Sequence, residues 1–149
     1  MYKTIVAHQV RKAFAALSAG NTAAVTKGLA EDAVYEFVGD HALGGRRHGR
    51  ALIETWFARV DRLMGGGRFE VRDVLVKGWP WRTRVISVVD IAAEVAGEPY
   101  RNRMLQILDI RWGRIVAIYS LEDTQLLAGA LHRLAETGVA EAAAAPIVG

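Results

Sequence analysis

An α+β fold, with N-terminal helices packed on a strongly curved antiparallel sheet, is what the order of hydrophobic periods predicts. Apolar residues recur every three or four positions up to Met64, every second position from Phe69 to Leu121, and every three or four again from Leu127. Three consecutive glycines, Gly65-Gly66-Gly67, separate the first regime from the second. The chain has 149 residues, 52% hydrophobic and 23% charged, which suits one buried core and excludes a disordered chain.

Each element has its own warrant. Val6, Val10, Ala13, Phe14 and Leu17 mark an amphipathic helix, and Gly20 ends it. Asn21 then caps a short second helix with Val25 and Leu29 on one face, closing at Glu31-Asp32. Val34 to Val38 alternates and is β-branched and aromatic, so it reads as a strand with Tyr35 and Phe37 on one face. The loop from Gly39 to Gly49 contains the polar run GGRRHG. A helix follows from Arg50, its stripe being Leu52, Ile53, Trp56, Phe57, Val60, Leu63 and Met64.

The period-two half divides into strands at Phe69–Lys77, Trp81–Val95, Tyr100–Trp112 and Arg114–Leu121. Gly78-Trp79-Pro80, Ala96-Gly97-Glu98-Pro99 and Trp112-Gly113 supply the turns, and Pro80 belongs at a strand start or edge because it cannot donate to a ladder. Asp123 caps a last helix with the stripe Leu127, Ala130, Leu131 and Leu134, ending at Gly138. Residues 1–138 form one domain on this reading, and residues 139–149 a tail without a periodic pattern.

Composition narrows the function classes. There is no cysteine, so disulfides and thiolate metal sites are excluded. The N-terminus lacks a signal core, and no run approaches the ~20 apolar residues of a membrane span. A cytoplasmic protein with no membrane partner is the expectation. The formal charge is +3, with basic residues spread along the chain and clustered only at Arg46, Arg47, His48 and Arg50. A basic stripe with interleaved aromatics is missing, so no nucleic-acid partner is expected. The histidines have no metal-ligand spacing, and neither a metal nor another cofactor is expected.

Three stretches carry a family resemblance: AALSAGNTAAVTKGLAEDAVYEF, GGRRHGRALIETWF and EPYRNRMLQILDIRWGRIVAIYSLEDT. Together they resemble the SnoaL-like branch of the nuclear-transport-factor-2-like superfamily, over nearly the whole chain from Val6 to Leu134. The resemblance implies a cone-shaped, cystatin-like α+β fold with a deep pocket, in a homodimer. It does not choose a reaction, since this fold serves isomerases, cyclases, an epoxide hydrolase and proteins that only bind.

The catalytic positions of those enzymes are mostly vacated here. The tyrosine and two aspartic acids of the steroid isomerases fall on Ala13, Phe37 and Leu108. In the epoxide hydrolase pattern the tyrosine is kept as Tyr35, but its asparagine falls on Phe37 and its relay on Ser87, Val85 and Ser120. The cyclase acid/base aspartate also falls on Ser120. None of these replacements except Tyr35 supplies a titratable group.

Strand alternation against the same positions predicts a pocket lined by Tyr35, Phe37, Val85, Ser87, Val89, Asn102, Met104, Gln106, Leu108, Ile118 and Ser120, and Trp56 of the helix is expected in the same lining. Such a lining suits a small apolar molecule bearing hydroxyl or carbonyl groups. Asp40 and His41, just beyond the first strand, are the acid/base candidates, with Tyr35 as partner to His41. A solvated turn is the competing reading of that pair. Asp90 and Asp109 alternate with arginines and read as an outer, salt-bridged face. A cofactor-free isomerase, cyclase or hydrolase, a binding protein without turnover and an oligomeric interaction domain all remain open.

Overall fold

The structure, a computed structural model, describes residues 1–149. The elements are α1 (Tyr2–Ser18), α2 (Ala23–Thr26), β1 (Leu29–Phe37), β2 (Gly45–His48), α3 (Arg50–Met64), β3 (Arg68–Trp79), β4 (Arg82–Val95), β5 (Glu98–Arg111), β6 (Arg114–Glu122), α4 (Thr124–Glu136) and a 3-10 turn at Ala140–Ala143. One six-stranded sheet runs in the order β2-β1-β6-β5-β4-β3. Neighbours are antiparallel except β1 and β6, which run parallel. The predicted α+β class stands.

The sheet bends because its ladders slip. Register shifts occur between Val71 and Asp73 on β3, between Asp109 and Ile110 on β5, and between Leu29 and Val34 on β1. Each irregularity adds local twist, so the long strands curl around one face instead of lying flat. That inner face buries Tyr35, Phe37, Val85, Val89, Met104, Leu108 and Ile118. Against it α1 presents Val10 and Phe14, α3 presents Ile53, Trp56, Phe57 and Leu63, and α4 presents Leu127, Ala130 and Leu131. Full burial of a side chain such as Ile53 contributes about 2 kcal/mol.

The outer face carries the charges. Asp109 accepts two bonds from Arg84 at 2.7 and 2.9 Å, and Asp90 joins Arg72 to Arg103. Asp123 caps α4, its Oδ1 accepting from the backbone N–H groups of Gln125 and Leu126.

Three local features differ from the periodicity. The helix expected to close at Glu31-Asp32 is a single turn, and β1 starts at Leu29. Leu29, Ala33, Tyr35 and Phe37 are buried in alternation, but exposed Glu31 on the same face masks the start of the strand. The loop after β1 contains β2, paired with β1 from Phe37↔Gly45 to Val34↔His48. The turn before it is tight: a Cβ at Gly44 would lie 1.8 Å from the carbonyl oxygen of Gly39, so no other residue fits there.

The tail is the third difference. It lies along β2, with His48 N–H donating to Gly149 O at 2.7 Å and Gly149 N–H to Arg46 O at 3.3 Å. Arginines hold it. Arg47 Nε donates to Ile147 O at 2.9 Å, Arg59 Nη1 to Ala145 O at 2.8 Å, and Arg62 grips Glu141 at 2.7 and 2.8 Å.

Candidate functional site

Between the curled sheet and the helices lies a cavity of about 450 Å³, lined mostly by apolar side chains. Its floor is set by strand register: Met104 faces Glu122, Gln106 faces Ser120, and Leu108 faces Ile118 across β5 and β6. Period-two geometry puts all six side chains on the same face of the sheet. Phe14 of α1 and Trp56 and Phe57 of α3 close the opposite wall.

Of the residues expected to line a pocket, Tyr35, Phe37, Trp56, Met104, Gln106, Leu108 and Ile118 line this cavity. Val85, Ser87 and Ser120 have 0% exposure and lie outside the lining. Asn102 is partly buried and reaches the site through its hydrogen bonds. The acid/base candidates lie apart. Asp40 is exposed, and His41 Nδ1 accepts from the Leu43 backbone N–H at 3.2 Å. Tyr35 bonds to Ser120 and not to His41. Burial lowers the His41 pKa, with Asp40 opposing, so the ring is held neutral.

Two polar groups interrupt the apolar interior. In the first, Tyr35 Oη and Ser120 Oγ are 3.0 Å apart, and Gln106 Nε2 donates to Ser120 Oγ at 3.1 Å. Burial pushes the Tyr35 phenol up to about 12, so it stays protonated. Ser120 has no base beside it and cannot act as an activated nucleophile in this arrangement.

The second group centres on Glu122, which is only 7% exposed. Tyr100 Oη donates to its Oε1 at 2.6 Å, and Asn102 Nδ2 donates to the same oxygen at 3.2 Å. Asn102 is itself fixed, because Nδ2 also donates to Asp123 O and Oδ1 accepts from Asp123 N–H. Both side-chain bonds fall on Oε1, and Oε2 has no protein partner. Burial raises the carboxyl above the ordinary glutamate range, while the bonds from Tyr100 and Asn102 pull it back. Desolvation also pushes the Tyr100 phenol strongly up, with the Glu122 charge adding to it.

A buried carboxylate with one anchored and one free oxygen can hold a ligand hydroxyl or exchange a proton with a ligand. Sequence reasoning missed it for a small reason. Ile118, Ser120 and Glu122 share the inner face, but a strand ending at Leu121 stops one residue short. No group of three or more His, Cys, Asp or Glu side chains is placed to hold a metal.

A family profile described as a SnoaL-like domain matches residues 10–118. No curated protein matches the chain in sequence. Among solved structures, Bal32a, from a soil-derived mobile gene cassette, is 25% identical, covering 78% of this chain and 87% of its own with a TM-score of 0.67. PrhC from Penicillium brasilianum is 16% identical and covers 95% of both chains with a TM-score of 0.80. A protein from Catenulispora acidiphila, described as having a ketosteroid isomerase-like fold and solved with trimethylamine, is 20% identical. It covers 85% of this chain and 92% of its own with a TM-score of 0.65. At these identities the last two likenesses concern the fold alone.

Proposed function

The chain belongs to the SnoaL-like domain family, and from that premise we propose that it takes a small, largely apolar molecule into its cavity and exchanges a proton with it through Glu122. The observation that carries this reading is Glu122 itself. It is a buried carboxylate on the wall of a mostly apolar cavity, with Oε1 anchored by Tyr100 and Asn102 and Oε2 free. A base raised toward neutrality by burial is suited to remove a weakly acidic proton.

The substrate class that fits is an apolar carbonyl compound with an acidic C–H beside the carbonyl. Glu122 Oε2 takes the proton as the C–H bond breaks, and the electron pair delocalises onto the carbonyl oxygen. Gln106 lies diagonally across the ladder from Glu122, neighbours that such a ladder sets roughly 7 Å apart. Its amide provides a donor for that oxygen. In a substrate that also has a carbon–carbon double bond between its β and γ carbons, returning the proton to the γ carbon moves that bond into conjugation and completes an isomerisation without any cofactor. Asp40 and His41 have no part in this scheme.

A cytoplasmic homodimer is the assembly this reading carries. Leu75, Ile86, Leu105, Tyr119 and Leu121 are exposed on neighbouring strands and form an apolar patch on the outer sheet face. Exposed patches of that kind mark interfaces.

The test is deuterium exchange. Incubated in heavy water with a panel of apolar ketones, the protein is expected to label the carbon beside the carbonyl. Glu122→Gln should slow that exchange about 100-fold or more. Ligand binding with equal exchange in both proteins would reduce the molecule to a binder, and failure of every apolar compound to bind would end the reading.

A further inference from the structure

The far end of the sheet carries a feature that the cavity does not use. Trp79, Trp81 and Trp112 sit on the turns between β3 and β4 and between β5 and β6, with 62%, 55% and 73% exposure. They touch one another. Trp79 and Trp81 stack with ring centroids 6.1 Å apart and planes 13° apart, and Trp112 is 6.2 Å from Trp81. The two turns are joined by a backbone bond from Trp112 N–H to Pro80 O at 2.7 Å.

Stability does not account for the arrangement. Trp112 holds φ +50°, a left-handed conformation that bulky residues avoid and asparagine or glycine adopts readily. A tryptophan kept there at high exposure stabilises little by burial.

The surroundings are cationic. Lys77, Arg82 and Arg111 are exposed within two residues of a tryptophan in the sequence and none forms a salt bridge, while Arg114, also exposed, donates to Lys27 O at 3.0 Å. Asp109, the carboxylate nearest them along β5, is already held by Arg84. A sugar platform would need carboxylates or amides to bond hydroxyls, and the residues around these rings are cations instead. Tryptophan is the residue that settles at the headgroup level of a bilayer, and unpaired lysines and arginines attract anionic headgroups.

We propose that this tryptophan-tipped, arginine-flanked end of the sheet is a docking face for an anionic lipid bilayer. No helix here is long and apolar enough to cross a membrane. The lack of a spanning segment in the sequence bears on crossing a membrane, whereas a surface contact needs only a few side chains. The cavity reaches the same end. Gly113 and Ile115 line it beside Trp112, as does Ile5 of α1, which is 50% exposed. A docked molecule would thus present its cavity to the bilayer, the natural reservoir of an apolar ligand; that last link rests on the proposed function.

The experiment is co-sedimentation of the full chain, without added ligand, with vesicles of phosphatidylglycerol and phosphatidylcholine in equal parts. Binding to these vesicles with a blue shift of tryptophan emission is expected, weakening as salt is raised. Arg82→Gln with Arg111→Gln should weaken partition about 25-fold, from roughly a factor of five per cation. Trp112→Asn, which suits the left-handed turn and keeps the fold, should abolish the blue shift of that ring and weaken binding.

No sedimentation with anionic vesicles at low salt would overturn the proposal, as would equal binding by the tryptophan variant. Self-association of the free protein that Trp112→Asn abolishes would assign the patch to a second copy and overturn it as well. Glu122→Gln should bind vesicles like the parent, so failure at the cavity and failure at the docking face read out separately.

Discussion

The guanidinium of Arg47 lies 5.1 Å from the centroid of Trp56 and forms no salt bridge, although the residue has 0% exposure. Burial lowers its pKa to about 10, which still leaves it charged at neutral pH. It is held by its rings and by two carbonyls, Nη2 donating to Gly44 O at 2.6 Å and Nε to Ile147 O at 2.9 Å. The planar fork is what spans the β2 turn and the tail, and a lysine offers no such pair of fixed donors. Arg47→Lys is therefore expected to destabilise the protein by about 2 kcal/mol, read from urea unfolding.

Truncation after Gly138 removes the other half of the same contact. Arg47, Arg59 and Arg62 would lose partners at Ile147, Ala145 and Glu141. The sheet and α4 keep their own packing, so the truncated chain should fold with a lower Tm. The loop from Gly39 to Gly44 should become the first site cut by a protease, since Arg59 also bonds Ala42 O beneath the tail. Equal resistance of that loop in both chains would refute this.

Two buried serines should respond oppositely to alanine. Ser87 Oγ has no hydrogen-bond partner, so Ser87→Ala removes an unsatisfied group and is expected to stabilise by about 1 kcal/mol. Ser120 Oγ meets Tyr35 and Gln106, so Ser120→Ala should cost about 1–2 kcal/mol. Thermal unfolding of the matched pair gives the sign of each.

Glu122 should leave a mark on pH dependence. Its folded-state pKa lies above the unfolded value, so the stability it contributes is fully present below the ordinary glutamate range. That contribution is lost as pH rises through the folded-state pKa. The stability of the parent relative to Glu122→Gln should fall across that window, measured by denaturant unfolding at successive pH values. A difference that does not change with pH would show that Glu122 is not desolvated.

Tyr100→Phe tests the anchor on the same carboxylate. The Tyr100 hydroxyl bond lowers the Glu122 pKa, so removing it should shift the titration upward. The carboxyl carbon resonance of Glu122 followed against pH reports this directly.

The architecture was open to sequence reasoning because the core obeys simple periods. Val10 and Phe14, Ile53 and Trp56, and Leu127 and Leu131 recur at helical spacing, Val85, Ser87 and Val89 at strand spacing, and Asp123 stands at the expected cap. The neutral polar residues Ser87, Gln106 and Ser120 were also legible on the inner face, and what escaped was the two buried charged residues. Arg47 reads as one charge in a solvated loop, yet it is buried by a tail that meets it 100 residues later. Glu122 falls one residue beyond the strand expected at Arg114–Leu121. Strand alternation carried one residue further turns it inward, and the long-range partners Tyr100 and Asn102, 22 and 20 residues away, satisfy it there. Local pattern carries information about faces and periods, and none about which distant group will neutralise a buried one.

The parallel contact between β1 and β6 has a further consequence, for how the protein comes off the ribosome. Tyr35 and Ser120 are 85 residues apart, and β1 has no neighbour on that side until β6 has been made. During synthesis the apolar faces of α1, β1 and α3 must wait for strands still inside the exit tunnel. Pairings this distant in sequence make closure slow and leave half-made chains prone to stick to one another. The nascent chain is thus most exposed just before β6 emerges, and this is when it has most need of a chaperone.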